Sequence, residues 1–263
     1  MANPDPAGPS DDILLADQPL HNADFEWDSF DSAAYFDKNY REVRHDDGQI
    51  VRILSEFFSE AASGIEKGSA IDVGSGANLY PALAMLPFAR DITLSERARA
   101  NREWLDDQLR APADSWSDFW SVMSAGRRAY TRLRRPFGEL ARRATVVRGD
   151  IFDLPANTWD LGTMFFVAES ITRIRSEFDR ATHTFVRALR PGAPFSAAFM
   201  KESDGYAVGR QSFPAFAVNE GYVSACLHSV AHDIRVHSIE SHDLRPGYDG
   251  MILVTGRAGR PTR

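Results

Sequence analysis

Apolar residues in this chain follow two rhythms. From about Asp46 to Ala62, Ile50, Ile53, Leu54, Phe57 and Phe58 recur at helical spacing and predict one amphipathic helix, closed by Gly64 and Gly68. Beyond it, short apolar runs alternate with helix-compatible stretches. The pattern predicts strand 69–73, helix 78–87, strand 91–95 and helix 97–110. After an interruption at 111–143, Thr145–Arg148 reads as a strand. The run 159–167 is almost wholly apolar, as expected of a central strand covered on both faces. A helix over about 174–189 is stopped by Arg190-Pro191-Gly192. Strand Pro194–Met200, a helix near 218–230, a strand near 233–239 and a last strand Met251–Gly256 complete the series. Such alternation predicts the α/β class: a Rossmann-like, doubly wound, seven-stranded and mostly parallel sheet with helices on both faces.

The flanks depart from this rhythm. Residues 1–24 are rich in Pro, Asp, Ala and Ser and are expected to form a poorly ordered tail, leaving 25–263 as a single domain. Within it, 25–62 is expected to supply N-terminal helices. A short helix is predicted over Ser32–Tyr40, with Ser32 as its N-cap. Tyr35 and Tyr40 are too aromatic for a solvated face, so they either staple this segment down or close over a ligand. The 111–143 insertion carries Trp116, Phe119, Trp120, Tyr130 and seven arginines. Interleaved basic and aromatic residues suit nucleic acid, but the chain has a net charge of −7. Two surface helices with arginines reaching water are the expectation.

Composition narrows the class. Hydrophobic residues make up 43% and aromatics 11% of the 263 residues, enough for a full core. The single cysteine, Cys226, excludes an internal disulfide framework and fits a reducing cytoplasm. With no signal-like N-terminus and no apolar run of roughly 18 residues, a soluble cytoplasmic monomer is expected, without membrane or nucleic-acid partners.

The candidate chemistry centres on Ser69-Ala70-Ile71-Asp72-Val73-Gly74-Ser75-Gly76-Ala77-Asn78-Leu79-Tyr80. An apolar run, an acid, two spaced glycines and a helix-compatible sequence describe a strand, a tight turn and a helix. The glycines admit a ligand close to the backbone. A dinucleotide fingerprint needs a third glycine where Leu79 stands, which disfavours a nicotinamide-dependent oxidoreductase. A ligand with a ribose and a charged amino-acid tail but no phosphates, S-adenosyl-L-methionine, suits the shorter form. The next strand ends at Glu96, about 20 residues beyond the turn, where a carboxylate reaches ribose hydroxyls. Asp150, Glu169 and the loop Lys201–Tyr206 follow other strand ends, on the rim where open α/β sheets bind ligands. Asp150 is placed to accept from an adenine amino group. The intact turn argues against a silent binding module.

In these motifs the chain resembles the nicotinamide, phenylethanolamine and thioether methyltransferases, a family that includes indolethylamine N-methyltransferases. The match runs from about Tyr35 to Gly256. It rests on Tyr35 and Tyr40 followed by Arg44-His45, on Ile71–Gly76 with Tyr80, on Glu96 with Asn101, on Gly149-Asp150, on Glu169 and on Leu189–Gly192. The resemblance implies that Tyr35 and Tyr40 form a lid over the methionine part of the cofactor and the active site. It implies that Gly74, Ser75 and Gly76 line the cofactor, and that Tyr80 meets its carboxylate. Glu96, where the family usually has Asp, would hold the ribose with help from Asn101, while Asp150 and Ile151 border the adenine. Phe165 replaces smaller residues that flank the cofactor.

On the acceptor side, Phe199 stands where nicotinamide-specific members have Asp, which disfavours nicotinamide. Glu169 matches an acid that holds the amine. Ser203 falls where a second acid is usual, with Asp204 next to it able to supply the charge. Tyr206 matches an aromatic residue flanking the substrate. The resemblance thus implies methyl transfer from S-adenosylmethionine, leaving S-adenosylhomocysteine, onto a small amine or heteroaromatic nitrogen. O- or C-methylation of a specialised-metabolism intermediate is the alternative. Glu169 would orient the amine with Tyr35 closing the site, and no metal is required.

Overall fold

The computed structural model describes residues 21–62, 67–241 and 249–259. The expected tail therefore lies mostly outside the described residues. Its last part is ordered, contrary to expectation: Asn22–Asp24 form a 3-10 turn, and the Asn22 N–H donates to Glu177 at 3.0 Å. A second 3-10 turn, Trp27–Ser29, leads into α1 (Ser32–Asn39). The cap of α1 is Asp31 rather than Ser32; its carboxylate accepts from Ala34 N at 2.9 Å. Ser32 instead donates to Asn101 Oδ1 at 2.6 Å. Helix α2 (His45–Ala61) carries the predicted apolar face, with Ile50, Leu54 and Phe58 fully buried. It ends at Ala61, before Gly64, which is outside the described residues; Gly68 opens the following strand.

The βα succession then runs β1 (Gly68–Val73), α3 (Tyr80–Met85), β2 (Ala89–Glu96) and α4 (Arg99–Arg110). The insertion folds as three helices, not two: α5 (Ser115–Ser124), α6 (Arg128–Thr131) and α7 (Pro136–Arg143). Trp116, Phe119 and Tyr130 are completely buried, so this region is part of the core. Two of its arginines also turn inward. Arg143 donates to the Leu86 and Ala89 carbonyls at 3.1 and 3.0 Å, and Arg127 to the Val122 carbonyl at 3.2 Å. Next come β3 (Ala144–Arg148), β4 (Leu161–Phe165), α8 (Arg175–Ala188) and β5 (Pro194–Met200). An unanticipated hairpin, β6 (Gly205–Val208) and β7 (Gln211–Pro214), interrupts the alternation before α9 (Glu220–Leu227), β8 (Ala231–Ile239) and β9 (Met251–Ala258).

The seven-stranded sheet has the order β3-β2-β1-β4-β5-β9-β8. Its first five strands pair in parallel, and β9 runs antiparallel to both neighbours. Side chains alternate across it. Ala70, Ala198 and Leu253 join the core under α2–α7, while Ile71, Phe199 and Val254 join that under α8 and α9. Strand order reverses between β1 and β4, opening a crevice at their carboxyl ends. Among the described residues no helix is long and apolar enough to cross a membrane.

Candidate active site

The β1–α3 turn forms the crevice floor. Gly74 and Gly76 adopt φ values of +64° and +55°, the left-handed region open to glycine. Gly74 N donates to the Ser95 carbonyl at 2.7 Å, tying the turn to β2. A Cβ on Gly74 would lie 2.6 Å from a Val167 methyl, whereas one on Gly76 would meet nothing closer than 3.7 Å. At the end of β2, Glu96 accepts from Gly76 N at 2.8 Å and from Ala98 N at 2.7 Å. Burial raises its pKa, and these backbone hydrogen bonds oppose the shift.

Above the turn lies a cavity of about 830 Å³, part of it open to solvent. Its lining includes Tyr35, Tyr40, Gly74, Ser75, Gly76, Glu96, Asp150, Ile151, Phe165 and Tyr206, which the sequence had singled out from six separate stretches. Asp150 is part-exposed and pairs with Arg97 at 3.1 Å. The roof is aromatic: Trp27 stacks on Phe213 of β7 at 5.3 Å, Phe30 meets Phe213 at 5.2 Å, and Tyr35 meets Tyr206 edge-on at 6.5 Å. The N-terminal aromatics thus have fixed partners in the β6–β7 hairpin.

Six singled-out residues do not line this cavity. Tyr80 is wholly buried behind it, stacked on Phe119 at 5.4 Å. Asn101 is buried and receives the Ser32 hydroxyl. Phe199 points the other way, because β-alternation sends it to the α8 face against Phe178, 5.7 Å away. Ser203 is buried, while Asp204 is exposed, its carbonyl accepting from Arg173 at 3.5 Å. Asp204 therefore does not bring the second acidic charge into the cavity. Glu169 is fully buried. Its Oε1 accepts from Met200 N at 3.0 Å and from the Ser170 hydroxyl at 2.9 Å, while Oε2 has no partner. Burial pushes its pKa up to about 7, against the opposing effect of those hydrogen bonds.

Sequence reasoning missed several lining residues. Arg97 gave only the signal of following Glu96, and Asn22, Trp27 and Phe30 fell in the tail and the segment after it. Phe166 sits at φ +59°, unusual for a bulky side chain, and no local motif marks it. It lies, with Tyr35 and Tyr40, between the main cavity and a small, part-open recess, whose other walls are Asn39, Arg44, Asp47, Met200 and Met251.

Buried polar atoms around the turn test the fit of an amino-acid-tailed cofactor. Asn78 Nδ2 and Tyr80 Oη are donors without partners, and Asp72 Oδ2 is an acceptor without one. Burial raises Asp72 to about 7 despite its 2.7 Å hydrogen bond from Thr163. Of the three, Asn78 lines the cavity, and a ligand carboxylate there would satisfy its Nδ2, which fits the methionine end of S-adenosylmethionine.

Known proteins resemble this chain over most of its length. Phenylethanolamine N-methyltransferase of Mus musculus is 25% identical over 230 residues, covering 78% of this chain and 75% of its own. That of Sus scrofa is 26% identical over 249 residues, covering 84% and 85%. An S-adenosylmethionine-dependent methyltransferase from Clostridium acetobutylicum superposes with a TM-score of 0.55 at 11% identity, over 86% of this chain and 97% of that one, a likeness of fold. The description of the NNMT/PNMT/TEMT family matches residues 18–258, and with that span the chain belongs to this family and is an S-adenosylmethionine-dependent methyltransferase.

Proposed function

We propose that the enzyme methylates a nitrogen of a small amine or heteroaromatic metabolite, with Glu169 as the group that manages the nitrogen's proton. The supporting observation is the unpartnered Oε2 of a fully buried carboxylate whose charge acts on the Tyr206 phenol. When bound, the cofactor supplies a methyl group already activated on a sulfonium, so the protein's task is alignment and exclusion of water. Gly74–Gly76, Asn78 and Tyr80 hold the amino-acid end in this reading. Glu96, with Asn101 behind it, holds the ribose, and Asp150 and Ile151 hold the adenine. Tyr35, Tyr40 and Tyr206 close the site over the acceptor.

A nitrogen must be unprotonated to attack. A carboxyl group whose pKa has been raised to about 7 is poised to take its proton near neutrality. Glu169→Gln keeps the shape and removes that capacity. The acceptor kcat/KM should fall about tenfold or more, roughly 1.4 kcal/mol of transition-state stabilisation, while S-adenosylhomocysteine affinity, read by calorimetry, stays the same. Full activity in the variant, or methyl transfer to a hydroxyl or carbon, overturns the amine reading.

A further inference from the structure

Glu169 is completely buried and is not part of the cavity wall, so an acceptor in the cavity does not meet its carboxyl group directly. Its neighbour Ser170, 7% exposed, does line that wall. The Ser170 hydroxyl donates to Glu169 Oε1 at 2.9 Å. The other group on that oxygen is the Met200 N–H at 3.0 Å, a backbone donor with no lone pair to offer. A hydroxyl gives one hydrogen and keeps two lone pairs. Backbone hydrogen bonds hold the pair in place: Ser170 N donates to the Val167 carbonyl at 2.9 Å, and Phe216 N to the Glu169 carbonyl at 2.8 Å. The turn after β4 thus keeps the carboxyl group behind the wall and Ser170 in it. The titratable side chain that feels the Glu169 charge is the Tyr206 phenol of β6. Burial, then the charges of Tyr35, Glu169 and Glu96, raise it well above the ordinary value, so it stays protonated.

An ammonium has no lone pair, so its proton must leave before the nitrogen attacks. Resting on the proposed function, we propose that Ser170 is a catalytic residue that relays this proton from the acceptor nitrogen to Glu169. The ammonium N–H donates to the Ser170 oxygen. Its proton passes to Oγ while the hydroxyl's own proton passes to Glu169 Oε1, so the serine ends neutral and the carboxylate becomes a carboxylic acid. The nitrogen's freed electron pair then forms the bond to the methyl carbon, as the carbon–sulfur bond breaks and leaves its pair on sulfur. The positive charge moves from sulfur to the methylated nitrogen. Such a relay also narrows the substrate class. It serves an acceptor that arrives as an ammonium, a primary or secondary alkylamine, since a heteroaromatic ring nitrogen is already a free base near neutrality.

The test follows kcat/KM for benzylamine from about pH 7.5 to about pH 9.5, on the full chain with saturating S-adenosylmethionine. The parent uses the ammonium itself, so its profile should be nearly flat. Ser170→Ala depends on the free amine, so it should be about tenfold or more slower at the lower pH. It should then gain about tenfold per pH unit until the amine's own pKa is reached. Ser170→Thr keeps a hydroxyl and should restore the parent's rate and profile, while Glu169→Gln should follow Ser170→Ala. S-adenosylhomocysteine affinity, read by calorimetry, should be unchanged in Ser170→Ala. A loss that is uniform across pH, a matching loss of S-adenosylhomocysteine binding, or no recovery in Ser170→Thr overturns the relay. If Ser170→Ala matches the parent while Glu169→Gln stays slow, the relay falls and the amine reading stands. If Glu169→Gln also matches the parent, or benzylamine is not methylated at millimolar concentration, both fall.

Discussion

Two rims of one sheet end in a buried glutamate, and they hold it differently. At the β1–β2 rim, Glu96 is satisfied on both oxygens by backbone N–H groups, one of them Gly76's. At the β4–β5 rim, Glu169 is satisfied on one oxygen only. Both carboxyl groups are raised by burial. The first rim is a finished binding surface whose geometry the backbone dictates. The second keeps an unpaired atom in a dry place, a cost that folding alone does not explain and a reacting partner would.

The largest expected effect tests how rigid the first rim is. Gly74→Ala combines a left-handed backbone with a Val167 clash and should destabilise the fold by about 2–5 kcal/mol. Gly76→Ala meets only the backbone strain and should lose about 1 kcal/mol. Thermal melts of the pair check the difference; equal losses would mean that Val167 yields and the rim is softer than drawn.

The second rim is probed by pH. Glu169 keeps its proton in the fold up to about pH 7, whereas the unfolded chain releases it near the ordinary value of 4.5. Unfolding therefore releases a proton in that window, and its stability contribution falls as pH rises from 4.5 towards 7, then levels off. Glu169→Gln escapes this decline. Its stability relative to the parent should improve across the window by on the order of 2–3 kcal/mol, followed by denaturant melts at pH 5, 6 and 8. A flat difference would show Oε2 to be better solvated than it looks.

Glu96→Ala should weaken S-adenosylhomocysteine binding by about 1–3 kcal/mol, since it removes charge-assisted hydrogen bonds. Calorimetry reads it, and unchanged affinity would place the ribose elsewhere. The smallest effect concerns the roof shared by both rims. S-adenosylhomocysteine should raise amide-exchange protection through residues 22–40, and Trp27→Ala should remove that gain while lowering affinity by no more than about 1 kcal/mol. Equal protection with and without ligand would make the roof fixed structure.

The same contrast explains what could be read from sequence. The glycine turn is contiguous, and its two glycines and acid announce a backbone geometry that no fold-level information is needed to see. Glu96 follows from strand spacing. The parallel strands were legible because runs such as 159–167 are apolar beyond what a helix face needs, although β4 itself is shorter, Leu161–Phe165. The second rim is assembled from α1, α2, β4, β5 and a hairpin, so nothing local marks Phe166 or Asp47 as wall residues. Asp204 looked like a charge for the site, yet a turn of one position sends it outward while Ser203 is buried. The hairpin's strands are four residues each, too short for alternation to register. In 111–143 the arginine count suggested a solvated face, and it masked the fully buried Trp116, Phe119 and Tyr130.

The position of β9 governs how the molecule fails. Met251-Ile252-Leu253-Val254-Thr255-Gly256 is uncharged, strongly strand-forming and rich in apolar side chains, the composition that self-associates when an edge is bare. Here it is paired on both sides, against β5 and β8, with Ile252, Leu253 and Val254 fully buried. Among the described residues, the polar-patterned β8 is the strand that screens it from the outside. Loss of that one outer strand would expose a sticky template while the rest of the sheet stood intact. Heat should therefore inactivate this enzyme by clumping rather than by reversible melting, with a half-life that shortens as protein concentration rises.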